Sequence, residues 1–154
     1  MNDTATIEAV TTTSGRVTGM ALGNHEFDYG PEVVKSWIAQ VPCPVLNSNV
    51  VDSQGQLLPG TVPFVVEEVH GHKVGLIGCT TPETATIVPE KKLGGIRFLN
   101  PHTAVQEQID KLRQQGVETI GVVSHLGIEA DRNLAKALPE LDFILGGHTH
   151  LAMT

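Results

Sequence analysis

The segment GNHEFDYG, residues 23–30, concentrates side chains that can do chemistry in one short stretch. It holds an amide, an imidazole and two carboxylates within five positions: Asn24, His25, Glu26 and Asp28. An apolar, strand-like run precedes the segment, and a helical pattern beginning at Pro31 follows it. The cluster is therefore predicted to lie on a strand-to-helix turn, at the carboxyl end of a strand, where open α/β sheets place their ligand sites.

Two further predicted strands also end in histidine. The strand at 141–145 runs into GGHTH, which carries His148 and His150, and the strand at 119–123 runs into His125. Neutral imidazole is a good ligand for Zn, Mn, Fe or Ni, and an asparagine oxygen can complete such a set. Because alternate residues of an extended segment point to one side, His148 and His150 are predicted to serve one metal site.

The elements that must position these side chains alternate between strands and helices. This alternation predicts an α/β fold with a mainly parallel β-sheet flanked by helices, to which residues 61–78 add an antiparallel hairpin. Residues 44–50 are predicted to form a strand, and residues 80–95 an irregular connection. The pattern at 101–115 predicts a helix with Asn100 as its cap. Residues 1–16 are interpreted as part of a helix, with Asp3 as its candidate N-cap, and the whole chain 1–154 as one domain.

Net charge, apolar segments and cysteine count limit the classes of protein to which the chain can belong. The chain carries a net charge of −7, which argues against a broad surface for a nucleic-acid polymer. An acidic protein that handles phosphate usually needs metal to offset the repulsion, which agrees with the histidine clusters. No segment is long and apolar enough to predict a membrane span. The two cysteines, Cys43 and Cys79, are expected to be free thiols.

Taken in order, five motifs resemble the calcineurin-like metallophosphoesterases, in particular their 5′-nucleotidase branch: GNHEFDYG, PVLNSNV, VGLIGCTTPET, VVSHLGIEAD and GGHTH. The resemblance covers about residues 17–150. It implies an α/β/β/α sandwich and two divalent transition metals (Mn, Zn, Co or Fe) that activate water for attack on phosphorus. It also implies hydrolysis of nucleoside monophosphates or 2′,3′-cyclic nucleotides, in a parent protein that is periplasmic or extracellular.

The same resemblance implies a role for each site residue. The metal ligands would be Asn24, His125, His148 and His150, the first three on one metal and His150 on the other. His25 would face the substrate and donate a proton to the phosphate or to the leaving group, and Asp28 would hold that imidazole. Glu26 would be a hydrogen-bond acceptor behind the ligands or a surface carboxylate. Asn47 and Asn49 face one side of their predicted strand near its carboxyl end and would line the site from behind the metal ligands, with turn-side hydrogen bonding as the equal alternative.

The sequence also departs from the family pattern. Family members begin with Asp-x-His and continue with a Gly-Asp whose carboxylate bridges the two metals, and neither motif occurs here. The chain is therefore interpreted as an internal piece of such a domain, with at most one weakly held metal and little or no activity. An uncovered sheet edge would favour homo-oligomers. The alternatives are a sulfate-ester or thiosulfonate hydrolase on the same scaffold, and a non-catalytic metal-binding or assembly module.

Overall fold

A computed structural model describes residues 17–151, and the predicted helix at 1–16 with its cap Asp3 lies outside them. The strands are β1 (Met20–Ala21), β2 (Val45–Leu46), β3 (Val50–Val51), β4 (Thr61–Val62), β5 (Phe64–Val69), β6 (His72–Thr80), β7 (Arg97–Phe98), β8 (Thr119–His125) and β9 (Phe143–Leu145). The helices are α1 (Pro31–Gln40), α2 (Thr84–Ile87), α3 (Glu90–Leu93), α4 (Pro101–Gln114) and α5 (Ile128–Ala137), with a 3₁₀ helix at His25–Phe27.

The described strands pair mostly in parallel. One sheet has the order β1-β2-β4 and is parallel throughout. A second has the order β5-β6-β8-β9, in which β5 and β6 form an antiparallel hairpin and the other pairs are parallel. The short strands β3 and β7 form an antiparallel pair. This arrangement confirms the predicted α/β fold with its added hairpin.

Helix α4 shows how local sequence signals produce the flanking layer. Asn100 accepts a hydrogen bond from the Thr103 backbone N–H at 3.2 Å, which satisfies a donor that the first helical turn leaves free. Leu112 and Ile109 are fully buried from this helix, in a core that they share with β6 and β8. The α4 helix therefore begins where its cap predicted and buries its apolar stripe against the larger sheet.

The two larger sheets meet at Gly78 of β6. A methyl group at this position would overlap the carbonyl carbon and oxygen of Leu46, so only glycine allows the backbones to approach this closely. The Gly78 carbonyl also accepts hydrogen bonds from the backbone N–H and the hydroxyl of Ser48. This contact brings β1 beside β6 and β8, so the three carboxyl ends lie next to one another.

Two local predictions were wrong. The strand expected at 44–50 is broken into β2 and β3, because the Asn47 side chain bonds to both the N–H and the C=O of Val50, each at 2.8 Å. These bonds replace strand pairing with a side-chain turn. The segment at 80–95, expected to be irregular, contains the short helices α2 and α3.

Both cysteines were expected to be free thiols. Cys43 is half-buried and Cys79 is buried, and both are free, as predicted. Within residues 17–151, no helix combines the length and the apolar character that crossing a bilayer requires.

Candidate functional site

The turn at residues 24–28 is a tight 3₁₀ helix held from below by an aromatic side chain. Phe27 is buried and packs edge-on against Phe98, with ring centroids 5.1 Å apart. The helical turn gives the bend that Asn24 and His25 need if both are to serve one site: Asn24 is buried, and the His25 side chain is exposed. The buried aromatic ring thus fixes which turn residues point to the surface.

Glu26 stabilises the same turn. Its carboxylate accepts a hydrogen bond from the Gly23 backbone N–H at 2.6 Å. The observed position is therefore that of a hydrogen-bond acceptor behind the site, one of the two roles considered from the sequence.

Three strand ends bring one amide and two imidazoles together. The Oδ1 atom of Asn24 lies 2.9 Å from Nε2 of His125 and 3.1 Å from Nδ1 of His148. The two imidazole rings are 5.0 Å apart between centroids. Asn24 follows β1, His125 ends β8 and His148 follows β9, so the parallel strands deliver the three donors to one edge.

Glycines make room for the central imidazole. A methyl group on Gly23 would lie 2.9 Å from Cε1 of His125, and one on Gly147 would lie 3.5 Å from Nδ1 of the same ring. The His125 ring therefore lies close to the backbone at both glycines. Any side chain at residue 23 would therefore require the His125 ring and the Glu26 carboxylate to shift.

The geometry expected at GGHTH was wrong. His148 and His150 have positive φ values, 75° and 54°, and β9 has already ended at Leu145. Because the backbone is left-handed at both residues, the two-residue period of a strand does not apply. His150 is exposed and lies outside the hydrogen-bonded group formed by Asn24, His125 and His148.

Burial and neighbouring imidazoles keep His125 neutral. Burial makes the largest contribution and lowers the pKa of His125, and the charges of His148, His25 and His150 lower it further. A neutral imidazole is the form that ligates a metal. Three other histidines therefore act electrostatically on His125 at this edge.

A second polar pair lies on the exposed side of the turn. His25 Nδ1 is 2.9 Å from Oδ2 of Asp28, which is the contact that the sequence predicted for these two residues. Lys92 on α3 donates to the Asp28 backbone carbonyl at 2.8 Å and so fixes the turn from outside. A bond at Nδ1 leaves Nε2 of His25 available to a substrate.

The side chains of Asn47 and Asn49 make hydrogen bonds inside the fold. Both side chains are fully buried, and each bonds to backbone groups, Asn47 to Val50 and Asn49 to Thr80 and Leu99. Asn47 thus makes the turn-side hydrogen bonds that were the alternative, whereas Asn49 bonds to distant backbone groups. A place behind the metal ligands stays a prediction for both residues.

Two acidic residues near the site were missed by the sequence reasoning. The Oε2 atom of Glu83 lies 3.9 Å from Nε2 of His148, and the buried Asp131 accepts a hydrogen bond from Ser124. Glu83 follows the end of β6, so the strand-end rule that found the histidines would have found it too. Asp131 had no comparable signal, since one acidic residue in a helix is usually solvated.

The donor set fits one divalent transition metal incompletely. Asn24, His125 and His148 offer an oxygen and two nitrogens, a suitable mixture for Zn, Mn, Co or Fe. All three are neutral, and between residues 17 and 151 no group of three His, Cys, Asp or Glu side chains is placed to hold a metal ion. The arrangement offers three donor atoms to an ion and leaves its other coordination positions to other ligands.

Known proteins with similar sequences include 5′-nucleotidases, in agreement with the resemblance of the motifs. No family model matches the chain. The chain is 35% identical over 136 residues to a 5′-nucleotidase of Diplobatis ommata, covering 85% of this chain and 23% of that protein. It is also 35% identical over 130 residues to a probable 5′-nucleotidase of Treponema pallidum, covering 84% and 22%. The chain thus spans less than a quarter of the length of these relatives.

Solved structures share its fold. The 5′-nucleotidase precursor of Thermus thermophilus superposes with a TM-score of 0.77 at 37% identity, covering 86% of this chain and 26% of that one. The calcineurin-like phosphoesterase YfkN of Bacillus subtilis gives a TM-score of 0.77 at 29% identity, covering 87% and 45%. In sequence and fold, the chain belongs to the 5′-nucleotidase family of calcineurin-like phosphoesterases, as the counterpart of one segment of those longer proteins.

Proposed function

We propose that this chain forms part of a divalent-metal-dependent phosphoester hydrolase that acts on nucleoside monophosphates or 2′,3′-cyclic nucleotides. The observation that carries the proposal is the meeting of Asn24, His125 and His148 at one sheet edge, next to the His25–Asp28 pair. The relatives named as 5′-nucleotidases support the substrate class. Calcineurin-like phosphoesterases depend on divalent metals in general, which supports the cofactor.

Each group has a distinct task in this proposal. Asn24, His125 and His148 would hold the metal, which would supply Lewis acidity toward a phosphate oxygen and toward water. Asp28 fixes the orientation of the His25 ring through Nδ1, so Nε2 would protonate the leaving oxygen of the ester. His150 would serve a second metal only if other ligands were supplied from outside the chain described here.

The lack of a negative charge on Asn24, His125 and His148 limits how tightly these residues would hold a metal dication. The sequence has neither an Asp-x-His nor a Gly-Asp, so the three converging donors have no carboxylate from those motifs to offset a dication. We therefore expect this chain by itself to bind at most one metal weakly and to hydrolyse nucleotides slowly or not at all. The single-domain organisation of residues 1–154 and an exported location for the longer protein remain predictions.

Metal titration tests the proposal directly. Calorimetry with Mn, Zn and Co should give at most one site per chain, and His125→Ala should abolish the binding. His72→Ala is the matched control, because His72 is an exposed histidine at the β5–β6 turn. Equal titration curves for the two variants would contradict the metal assignment.

Substrate choice separates the main proposal from its alternatives. Hydrolysis of nucleoside monophosphates with added Mn supports it, and hydrolysis of sulfate esters or thiosulfonates alone would replace it. The second chemistry is kept in the test because sulfate thiohydrolase SoxB of Thermus thermophilus shares the fold, with a TM-score of 0.80 at 27% identity and coverage of 89% of this chain and 25% of that one. Metal binding without turnover on either substrate, even in the longer protein, would favour a non-catalytic module.

A further inference from the structure

We propose that Thr80 is a positioning residue that sets the distance between Asn24 and His125. Thr80 is the last residue of β6 and is fully buried. Its hydroxyl donates a hydrogen bond to the backbone carbonyl of Leu22 at 2.8 Å. Leu22 lies after the end of β1 and two residues before Asn24, so this bond holds the chain at the entrance to the 24–28 turn.

The next residue makes the matching bond on the other side. The Thr81 backbone N–H donates to the His125 carbonyl at 3.1 Å, and Thr80 is the register partner of His125 in the parallel β6–β8 ladder. Thr80 and Thr81 therefore hold two points of the chain: Leu22, two residues before Asn24, and His125 itself. The Thr81 contact is made by the backbone, whereas the contact to Leu22 depends on the Thr80 hydroxyl.

Asn49 fixes Thr80 in turn. Its Oδ1 accepts from the Thr80 N–H at 2.9 Å, and its Nδ2 donates to the Thr80 carbonyl at 2.8 Å. Because the buried Asn49 side chain holds both backbone groups of Thr80, the backbone of Thr80 is fixed in position. The Thr80 hydroxyl is therefore fixed relative to the Leu22 carbonyl. Asn49 thus acts on the site indirectly, through Thr80.

The bond matters because Asn24 and His125 are already in contact. Their side chains meet at 2.9 Å, and a shift of the turn by a fraction of that distance would separate them. Groups that orient metal ligands from behind typically change metal affinity by about 10–100-fold when they are removed. Thr80 touches no ligand atom, so its effect would be transmitted through the backbone of residues 22–24.

Two pairs of variants isolate the hydroxyl. Thr80→Val keeps the shape and loses the donor, whereas Thr80→Ser keeps the donor. If the valine variant does not fold, Thr80→Ala compared with Thr80→Ser makes the same comparison. Thr61→Val is the control, since the Thr61 hydroxyl also donates to a backbone carbonyl, that of Leu58 at 2.7 Å, but lies on β4, two strands away from β1.

The first readout needs no metal. Long-range ¹H–¹⁵N spectra of the imidazoles report the contacts that His125 and His148 make with Asn24. We expect Thr80→Val to shift both sets of ring signals, and Thr80→Ser and Thr61→Val to leave them near those of the unmodified chain. Unchanged ring signals in Thr80→Val, or in Thr80→Ala where that pair is used, would overturn the proposal, even if the variant melts at a lower temperature.

The second readout rests on the proposed function. In calorimetry with Zn or Mn, we expect Thr80→Val to weaken binding by about tenfold or more and Thr80→Ser to restore it. If the unmodified chain binds no metal, the metal-holding role proposed for Asn24, His125 and His148 fails in this chain, and the ring signals alone decide the role of Thr80. If metal binds equally well to the valine and serine variants, the positioning role is overturned and the proposed function stands.

Discussion

At the scale of single residues, the His25–Asp28 pair is the feature most directly tied to a reaction. In any form of the protein with measurable turnover, His25→Ala should lower kcat by about 10²–10⁴-fold, the usual contribution of a positioned proton donor. Metal content should stay the same, because His25 lies outside the group of converging donors. The check is kcat together with metal analysis, and loss of metal in this variant would contradict the assignment.

The two cysteines should differ sharply in reactivity. Burial raises the pKa of Cys79 to about 12 and also raises the pKa of Cys43, which is half-buried. Since the thiolate is the reactive form, a thiol reagent should modify Cys43 slowly in the native chain and Cys79 only after unfolding. Kinetics with and without denaturant test this, with Cys43→Ser as the control that removes the native phase. A rapid native reaction of that variant would contradict the buried position of Cys79.

At the scale of elements, Asp131 joins α5 to the two strand ends that carry histidine. The Ser124 hydroxyl donates to its Oδ1, and its Oδ2 lies against Gly146, where an added methyl would come within 2.6 Å. Ser124 precedes His125, and Gly146 lies two residues before His148. One buried carboxylate therefore packs beneath both segments.

This carboxylate should give stability a measurable pH dependence. Burial raises the pKa of Asp131 above its ordinary value of 3.8, and the hydrogen bond from Ser124 partly opposes that rise. The folded chain thus binds this proton more tightly than the unfolded chain, so the contribution is full below about pH 4 and is lost as the pH rises through the raised pKa.

The matched variants are Asp131→Asn, which removes this ionisation, and Asp110→Asn, which changes an exposed carboxylate on α4. Relative to the unmodified chain, Asp131→Asn should become progressively more stable as the pH rises above about 4. Asp110→Asn should not show this trend. Denaturant unfolding between pH 4 and 7 provides the measurement, and parallel curves for the Asp131→Asn and unmodified chains would contradict the assignment.

At the scale of the whole molecule, Gly78 decides whether the two larger sheets can meet. Gly78→Ala would drive a methyl group into the Leu46 backbone, which cannot move without displacing β2. We expect a loss of about 3 kcal/mol or more in the free energy of unfolding.

Gly19→Ala is the control, since the three atoms nearest to its methyl would all belong to the Leu46 side chain, at 3.0 Å or more, and none to the backbone. Urea unfolding compares the two variants. Similar losses for both would show that the sheets can separate at little cost.

The edge of the larger sheet predicts association. Strand β9 is the last strand in that sheet, and Leu145 at its end and Leu151 beyond it are 56% and 67% exposed. Open strand edges with apolar side chains favour pairing between chains. Light scattering over a wide concentration range should therefore detect oligomers, and Leu145→Lys should reduce them. A monomer at every concentration would contradict this expectation.

The amino-acid sequence by itself determined those features whose cause is local. The 24–28 turn, the Asn100 cap and the alternation of strands and helices all follow from patterns within a few residues, and the structure shows each of them. The likeness of the motifs to a known family was equally readable, because strand ends carry functional side chains in recognisable order.

Tertiary structure decided the features that depend on contacts between distant residues. The Asn49 side chain bonds to both backbone groups of Thr80, 31 positions away, and to the Leu99 carbonyl, and no local pattern specifies these partners. The left-handed turns at His148 and His150 could not be read from a spacing that also suits a strand. Burial of Asp131 depends on α5 packing over β8, an arrangement that no pattern of neighbouring residues specifies.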